Sequence, residues 1–342
     1  MTRHWNSLAF AGFAVLSLTS PAIGAGGPTL QQVKAKGFVQ CGVSDGLQGF
    51  SNPDDAGNWS GIDVDVCRAL AAAIFGDTNA VRFTPMTAKE RFTGLQHGEV
   101  DLLSRNTTIT MQRDVALNLE FTGVTYYDGQ GFIVKKESGV TSANDLGGAT
   151  VCTQTGTTTE LNVADFFRVR GLEYKIVAFD KEAQAVEAYE QGRCDTYTTD
   201  QSGLFAIRLK LANPDAHLIL PEIISKEPLG PAVRQGDDNW EDIVRWTLYA
   251  MVNAEELGVS SSNIDEMLKS ENPEIRRLLG VEGSFGESLG LSNDWAVNII
   301  RRVGNYGEIF DRNVGAGSPL KIERGYNKLW KEGGLQYAPP IR

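Results

Sequence analysis

The sequence predicts an α/β protein built from two Rossmann-like lobes joined by hinge strands. Three observations predict it: short apolar runs alternate with helical stretches, that alternation recurs, and glycine- and proline-rich segments flank the second copy. A chain of 342 residues is long enough for two such units.

The first copy opens on Gly37-Phe38-Val39-Gln40-Cys41-Gly42-Val43, a strand that runs into Ser44-Asp45-Gly46. Val66, Leu70, Ala73 and Ile74 give Asp63 to Phe75 a helical rhythm that stops at Gly76. Val81 to Phe83 is a second strand. Thr87-Ala88-Lys89-Glu90 is a capping-box pattern: the threonine hydroxyl and the glutamate each satisfy a free N–H at a helix start. That helix is expected to reach Gln96, with a third strand over Glu99 to Leu103. The order implies a parallel sheet covered by helices.

The second copy has strands over Thr150 to Thr153, Tyr174 to Phe179 and Cys194 to Thr198, with helices over Glu160 to Arg168 and Ala183 to Gln191. Tyr126 to Gly131 and Glu227-Pro228-Leu229-Gly230-Pro231 are candidate crossovers. Helical patterns at Trp240 to Leu257, Asn263 to Lys269 and Asp294 to Phe310 are assigned to the first lobe, which makes it discontinuous. The expected divisions are 28–126 with 231–342 for the first lobe and 131–226 for the second, joined by crossovers at 127–130 and 227–230.

Composition sets outer bounds. Hydrophobic residues make up 42% and charged residues 22%, and the formal net charge is −11, which disfavours nucleic acid and anionic membranes as partners. Residues 1–25 read as a signal peptide: Arg3 and His4, an apolar run from Leu8 to Leu18, then Ala22-Ile23-Gly24-Ala25. The run is shorter than the about 20 residues a spanning helix needs. No cysteine follows it to carry a lipid. The four cysteines of an exported chain permit two disulfides by three connectivities. Cys41 and Cys67 share one lobe and Cys152 and Cys194 the other, so pairing within lobes is expected, with buried thiols as the alternative. Their long spacings, with no histidine beside any pair, argue against a metal site.

Ligands of open α/β sheets bind beyond the carboxyl ends of the strands. Four segments fall there. Asn106 to Arg113 offers hydroxyls, an amide and a guanidinium suited to a carboxylate, with Arg113 able to form two parallel bonds; pairing with Asp114 or Glu120, and capping by Thr108 or Thr110, are the structural alternatives. Gly156-Thr157-Thr158 precedes a helix, where free N–H groups favour an anion. Asp200 ends a strand and suits an ammonium group, or else caps the next helix. Ser44, Leu47 and Phe50 line a side-chain pocket or join the core. An amino acid carries both charges at one end, so counter-charges on separate lobes would close around it. Charge-assisted bonds contribute about 1.5–3 kcal/mol each, and four or five of them, less the cost of association, leave roughly −8 kcal/mol, which is micromolar binding.

An enzyme reading is weaker. His97 and His217 are expected at helix ends or loops, and the chain has no His-Glu-x-x-His motif and no dinucleotide fingerprint after the first strand.

Gly61-Ile62-Asp63-Val64-Asp65-Val66-Cys67-Arg68-Ala69-Leu70-Ala71 resembles the signature of family 3 bacterial extracellular solute-binding proteins of polar amino-acid ABC importers. Phe121-Thr122, Gly156 to Thr158 and Gly192 to Asp200 agree. Gly304 to Glu308 and Gln336 to Pro340 are similar to the general L-amino-acid-binding subgroup. The resemblance implies a hinge-bending, Venus-flytrap fold (periplasmic binding protein type II) in the Gram-negative periplasm. It implies free L-amino acids of many kinds as ligands, no cofactor, a monomer, and an inner-membrane permease that receives the closed form. It places the ligand carboxylate on Arg113, helped by Asn106, Thr108 and Thr158, and the α-ammonium on Asp200. The signature helix is structural. Many members carry an aromatic ring where Leu47 stands, and Arg105 is unusual and suits an acidic side chain. The alternative in this fold is a dehydratase of prephenate or arogenate type, for which only Asp45 or Asp200 is available as an acid.

Overall fold

The computed structural model describes Met1 and residues 26–342; the signal-peptide reading lies outside the described residues. The first sheet runs in the order Val81–Met86, Val39–Ser44, Leu102–Leu103, Ala232–Arg234, Leu119–Phe121. The second runs Lys175–Phe179, Thr150–Gln154, Thr196–Asp200, Gln130–Lys135, His217–Ile219. The two orders correspond strand for strand. Val39–Ser44 and Thr150–Gln154 each pair in parallel with both neighbours, as the strand–helix alternation requires.

Neither sheet is wholly parallel, which corrects the expectation. Ala232–Arg234 and Gln130–Lys135 run antiparallel to both of their neighbours. The reason is connectivity: each follows a crossover and enters its sheet from the other side. The crossovers Tyr126–Asp128 and Glu227–Leu229 pair antiparallel, Asp128 opposite Glu227.

The helix Ile62–Phe75 starts at Gly61, whose φ of 129° and close packing both demand glycine; a Cβ there would stand 2.0 Å from the Phe50 carbonyl oxygen. Asp65 in its first turn accepts from Arg312 at 2.7 and 3.0 Å and from Asn313 at 2.6 Å. The capping box at Thr87 and Glu90 forms: Glu90 N–H donates to Thr87 Oγ1 at 3.3 Å and Thr87 N–H to Glu90 Oε2 at 3.2 Å.

Helix Asp238–Glu256 buries Trp240, Ile243, Val244, Leu248 and Met251 in one core with Val39, Val43, Leu70 and Leu102. The helical pattern over 294–310 is not continuous. It splits into Trp295–Arg302 and Tyr306–Asn313, because Gly304 turns left-handed at φ 100° and Asn305 with Glu308 builds a new capping box. Asn263 to Lys269 keeps only the helix Ile264–Met267. His217 begins a strand, buried, with Nδ1 at 2.7 Å from the Tyr189 hydroxyl, where a helix end or loop was expected.

The C-terminal segment braces the first crossover. Asn327 Oδ1 accepts from Tyr127 N–H at 2.7 Å, its Nδ2 donates to the Tyr127 carbonyl at 3.1 Å, and the Tyr306 hydroxyl donates to the Thr125 carbonyl at 2.8 Å. Cys41 pairs with Cys67 and Cys152 with Cys194. No helix among the described residues is long and apolar enough to cross a membrane.

Candidate functional site

The carboxyl ends of the central strands face one cavity. It is lined from the first lobe by Ser44, Asp45, Arg91, Arg105, Asn106 and Thr108, and from the second by Gln154, Thr157, Thr158, Thr159, Glu182, Thr199 and Asp200. The strands bring these residues together because Val39–Ser44, Leu102–Leu103, Thr150–Gln154 and Thr196–Asp200 all end there.

Asn106 turns at φ 31°, the left-handed region that asparagine tolerates better than most residues. Asp63, in the first turn of the signature helix, holds that turn by accepting from Asn106 N–H at 2.8 Å and Ser104 Oγ at 3.4 Å. Burial pushes the Asp63 carboxyl up to about 7, against the pull of the Asn106 N–H, Arg105, Ser104 and Arg91. The signature helix thus braces the Asn106 turn at the cavity from beneath.

Arg113 is buried on a short π-helical turn, Gln112–Ala116. It makes neither of the ion pairs that spacing allowed; Glu120 instead lies 3.8 Å from Arg245. Its Nη1 donates to the Thr108 carbonyl at 2.8 Å, and its guanidinium carbon lies 5.0 Å from the centre of the Phe92 ring. Burial lowers the guanidinium to about 10, while Glu227 and Asp200 support its charge. Arg113 therefore stands behind Thr108 rather than on the cavity wall.

Asp200 is 8% exposed and, although it occupies the N-cap position of helix Gln201–Lys210, its side chain makes no capping bond. Asp128 takes that role, accepting from the Ser202 hydroxyl, from Ser202 N–H at 3.5 Å and from Gly129 N–H at 2.8 Å. The Asp200 carboxylate is left facing the cavity. Burial, then Asp128 and Glu227, raise its proton affinity well above the ordinary carboxylate range; Arg91 and Arg113 oppose them.

Two expected ligand residues fall elsewhere. Leu47 is 4% exposed and packs in the first lobe's core with Phe50, because the turn in which Phe50 and Ser51 N–H donate to the Leu47 carbonyl folds both side chains inward. Gly156 gives its N–H to Glu160 at 3.2 Å and lies against the backbone of Lys89 in the other lobe. Thr157 remains on the wall but acts as the N-cap of helix Thr158–Arg170, its hydroxyl donating to the Gln154 carbonyl at 2.7 Å. Ser44, with its N–H on Ser51 Oγ at 2.9 Å, Arg105, with Nε on the Met86 carbonyl at 2.8 Å, Asn106, Thr108 and Thr158 all stand at the cavity as expected.

Sequence reasoning missed Arg91, Asp128, Glu182 and Glu227. Arg91 is fully enclosed; its Nη1 reaches Thr107 Oγ1 only at 3.4 Å and its Nε has no partner. The available signal was a charge on the inward face of a helix that otherwise buries Gly94 and Leu95. Glu182 is pushed up to about 7 by burial, with Asp45 adding and Arg105 and Lys210 opposing. Across the rim, Lys210 Nζ donates to the Gly46 carbonyl at 3.2 Å. Lys89 lies 3.7 Å from Asp180, an exposed pair that adds little.

Two α/β lobes joined by paired crossovers, with a charged cleft between them, define a bilobed solute-binding protein. The chain belongs to the bacterial extracellular solute-binding proteins, family 3, whose model matches residues 39–261. It is 60% identical to the general L-amino acid-binding periplasmic protein AapJ of Rhizobium johnstonii, over 98% of this chain and 99% of that protein. It is 52% identical to the glutamate/glutamine/aspartate/asparagine-binding protein BztA of Rhodobacter capsulatus, over 97% and 98% of the two chains. A solved structure of an ABC transporter periplasmic binding protein from Brucella ovis, with glutathione bound, superposes with a TM-score of 0.91 at 61% identity, covering 92% of this chain and 99% of that one.

Proposed function

We propose that this protein is the periplasmic binding component of an ABC importer for L-amino acids of broad specificity. The observation that carries the reading is one cavity lined from both lobes, with guanidinium groups from the first and the Asp200 carboxylate from the second. Arg113, which stands behind Thr108, exchanges its bond to the Thr108 carbonyl for the α-carboxylate, which the backbone N–H groups at the helix start of Thr157 to Thr159 also receive; Asp200 takes the α-ammonium. Asp45 and Glu182 stand near Arg105 around the remaining space, with Arg91 on the same cavity, and a wall of both signs accepts acidic, amide and basic side chains. Glutathione ends in an α-amino acid group that the same clasp fits. The lobes divide at the two crossovers, residues 127–130 and 227–230; they close on the ligand, and the closed monomer docks on an inner-membrane permease. The relatives matched along nearly the whole chain are amino-acid-binding proteins, so the dehydratase alternative is set aside.

Calorimetry with unmodified L-amino acids and glutathione tests the reading. Stoichiometric binding across several side-chain classes, with the ligand recovered unchanged, is expected; binding of none, or recovery of a product, refutes it.

Proton linkage gives a second expected result. Asp200 holds its proton to higher pH than an ordinary carboxylate because it is buried beside Asp128 and Glu227. A bound ammonium favours the ionised form. The complex thus holds fewer protons than the free protein, and affinity rises with pH through the range above the ordinary carboxylate value. Titrations in buffers of different ionisation enthalpy should show proton release on binding that fades at pH values where free Asp200 is already ionised. Proton uptake in the wild type contradicts it.

A further inference from the structure

The family resemblance implies that Thr108 and Thr158 help to hold the ligand carboxylate, which their hydroxyls could do only as donors. Their bonds point the other way. Thr108 Oγ1 donates to Glu227 Oε2 at 2.6 Å and Thr158 Oγ1 to the same oxygen at 2.9 Å. The other oxygen, Oε1, accepts from Asn162 Nδ2 at 2.7 Å and Ser225 Oγ at 2.6 Å. Glu227 is 1% exposed and sits on the returning crossover strand. Thr108 comes from the first lobe, and Thr158 with Asn162 from the second.

A hydroxyl has one proton, and a carboxylate only accepts. With both protons on Glu227, the two threonine oxygens have only lone pairs to show to the cavity they line. Their mutual distance of 3.3 Å is then an approach of two acceptors. Such a pair repels a carboxylate and attracts an N–H donor. An ammonium group has three N–H bonds; Asp200 supplies one acceptor and the two threonines supply two more, drawn from both lobes.

We propose that Glu227 is a positioning and specificity-determining residue, which fixes Thr108 and Thr158 as acceptors for the ligand's α-ammonium and so selects amino acids over their α-hydroxy counterparts. The proposal rests on the amino-acid reading of the cleft. It also explains why a buried acid stands on a crossover strand: one carboxylate orients a hydroxyl from each lobe.

The test uses the full-length mature protein, with L-leucine and L-glutamate and the corresponding α-hydroxy acids as probes in calorimetry. Glu227→Gln turns one acceptor into a donor and removes the charge beside the ammonium. It is expected to weaken amino-acid binding by about 10- to 100-fold, the scale of one charge-assisted bond, and to weaken the hydroxy acids much less. Thr158→Val is expected to narrow the same amino/hydroxy ratio without touching Glu227, while Thr158→Ser keeps it; this pair decides the matter if Glu227→Gln does not fold. A purely structural role for Glu227 lowers both affinities equally, and an unchanged ratio in Glu227→Gln and Thr158→Val overturns the proposal. Wild-type protein that binds no amino acid removes the underlying reading instead, and this inference with it.

Discussion

Arg113→Ala and Asp200→Ala are each expected to abolish binding of every L-amino acid and leave the fold intact. The α-carboxylate and α-ammonium are common to all the ligands, so the loss is independent of the side chain. Two parallel guanidinium–carboxylate bonds at about 1.5–3 kcal/mol each put the loss at Arg113 between roughly 100-fold and 10,000-fold. The fold tolerates both changes for different reasons. Arg113 gives the protein a bond to the Thr108 carbonyl and a face on Phe92, on a turn of five residues. Asp200 makes no capping bond, since Asp128 holds the helix start. Its burial beside two other acids disfavours its charge, so ligand-free Asp200→Ala should melt no lower than the wild type. A ligand panel by calorimetry, with thermal melts alongside, measures both. If either variant loses acidic ligands and retains apolar ones, these residues read side chains and the assignment of the zwitterion is wrong.

Replacing Cys152 and Cys194 together by alanine is expected to cost more stability than any other pair of small substitutions in the second lobe. The bond closes a separation of 42 residues, for which loop-closure entropy gives about 4 kcal/mol; the Cys41–Cys67 bond, at 26, gives about 3.5 kcal/mol. The difference in context is larger than the difference in loop. Cys41 and Cys67 lie in the large core shared with the C-terminal helices, whereas Cys152 and Cys194 lie in a small cluster around Tyr189, Tyr197 and Leu204. The second lobe has less apolar burial with which to offset the loss. A fall in the thermal midpoint on the order of 10 °C is expected for the ligand-free variant, with the wild type in reductant moving the same way. An unchanged midpoint in both would mean that the bond adds nothing to the native state.

Much of the architecture was legible because it depends on local chemistry. The rhythm of Val66, Leu70 and Ala73 marks a helix with one apolar face, Thr87 with Glu90 marks its neighbour's start, and Gly76 and Gly98 mark ends. The same reading failed over 294–310, where apolar spacing continued through Gly304. The break there came from a left-handed turn and from the amide of Asn305, which also reaches the Val259 carbonyl 46 positions away. Leu47 failed for a related reason: spacing placed it at a loop beyond a strand, but the turn at Phe50 directed it into the core.

The cleft divides in the same way. Thr108, Thr158 and Asp200 line the cavity at which their residue types and their places after a strand or before a helix had put them, and Arg113 lies behind Thr108. Arg91 and Glu227 were not singled out, because one looked like a helix surface and the other like a turn, and only tertiary packing buries them. The sequence by itself determined the repeated lobes, the cysteines available to each and the charges offered to a ligand, since these depend on periodicity, spacing and side-chain type. The tertiary structure alone decided which way each hydroxyl proton points and which acid caps a helix or stays free, because those depend on partners that the chain supplies from 69 to 119 residues away.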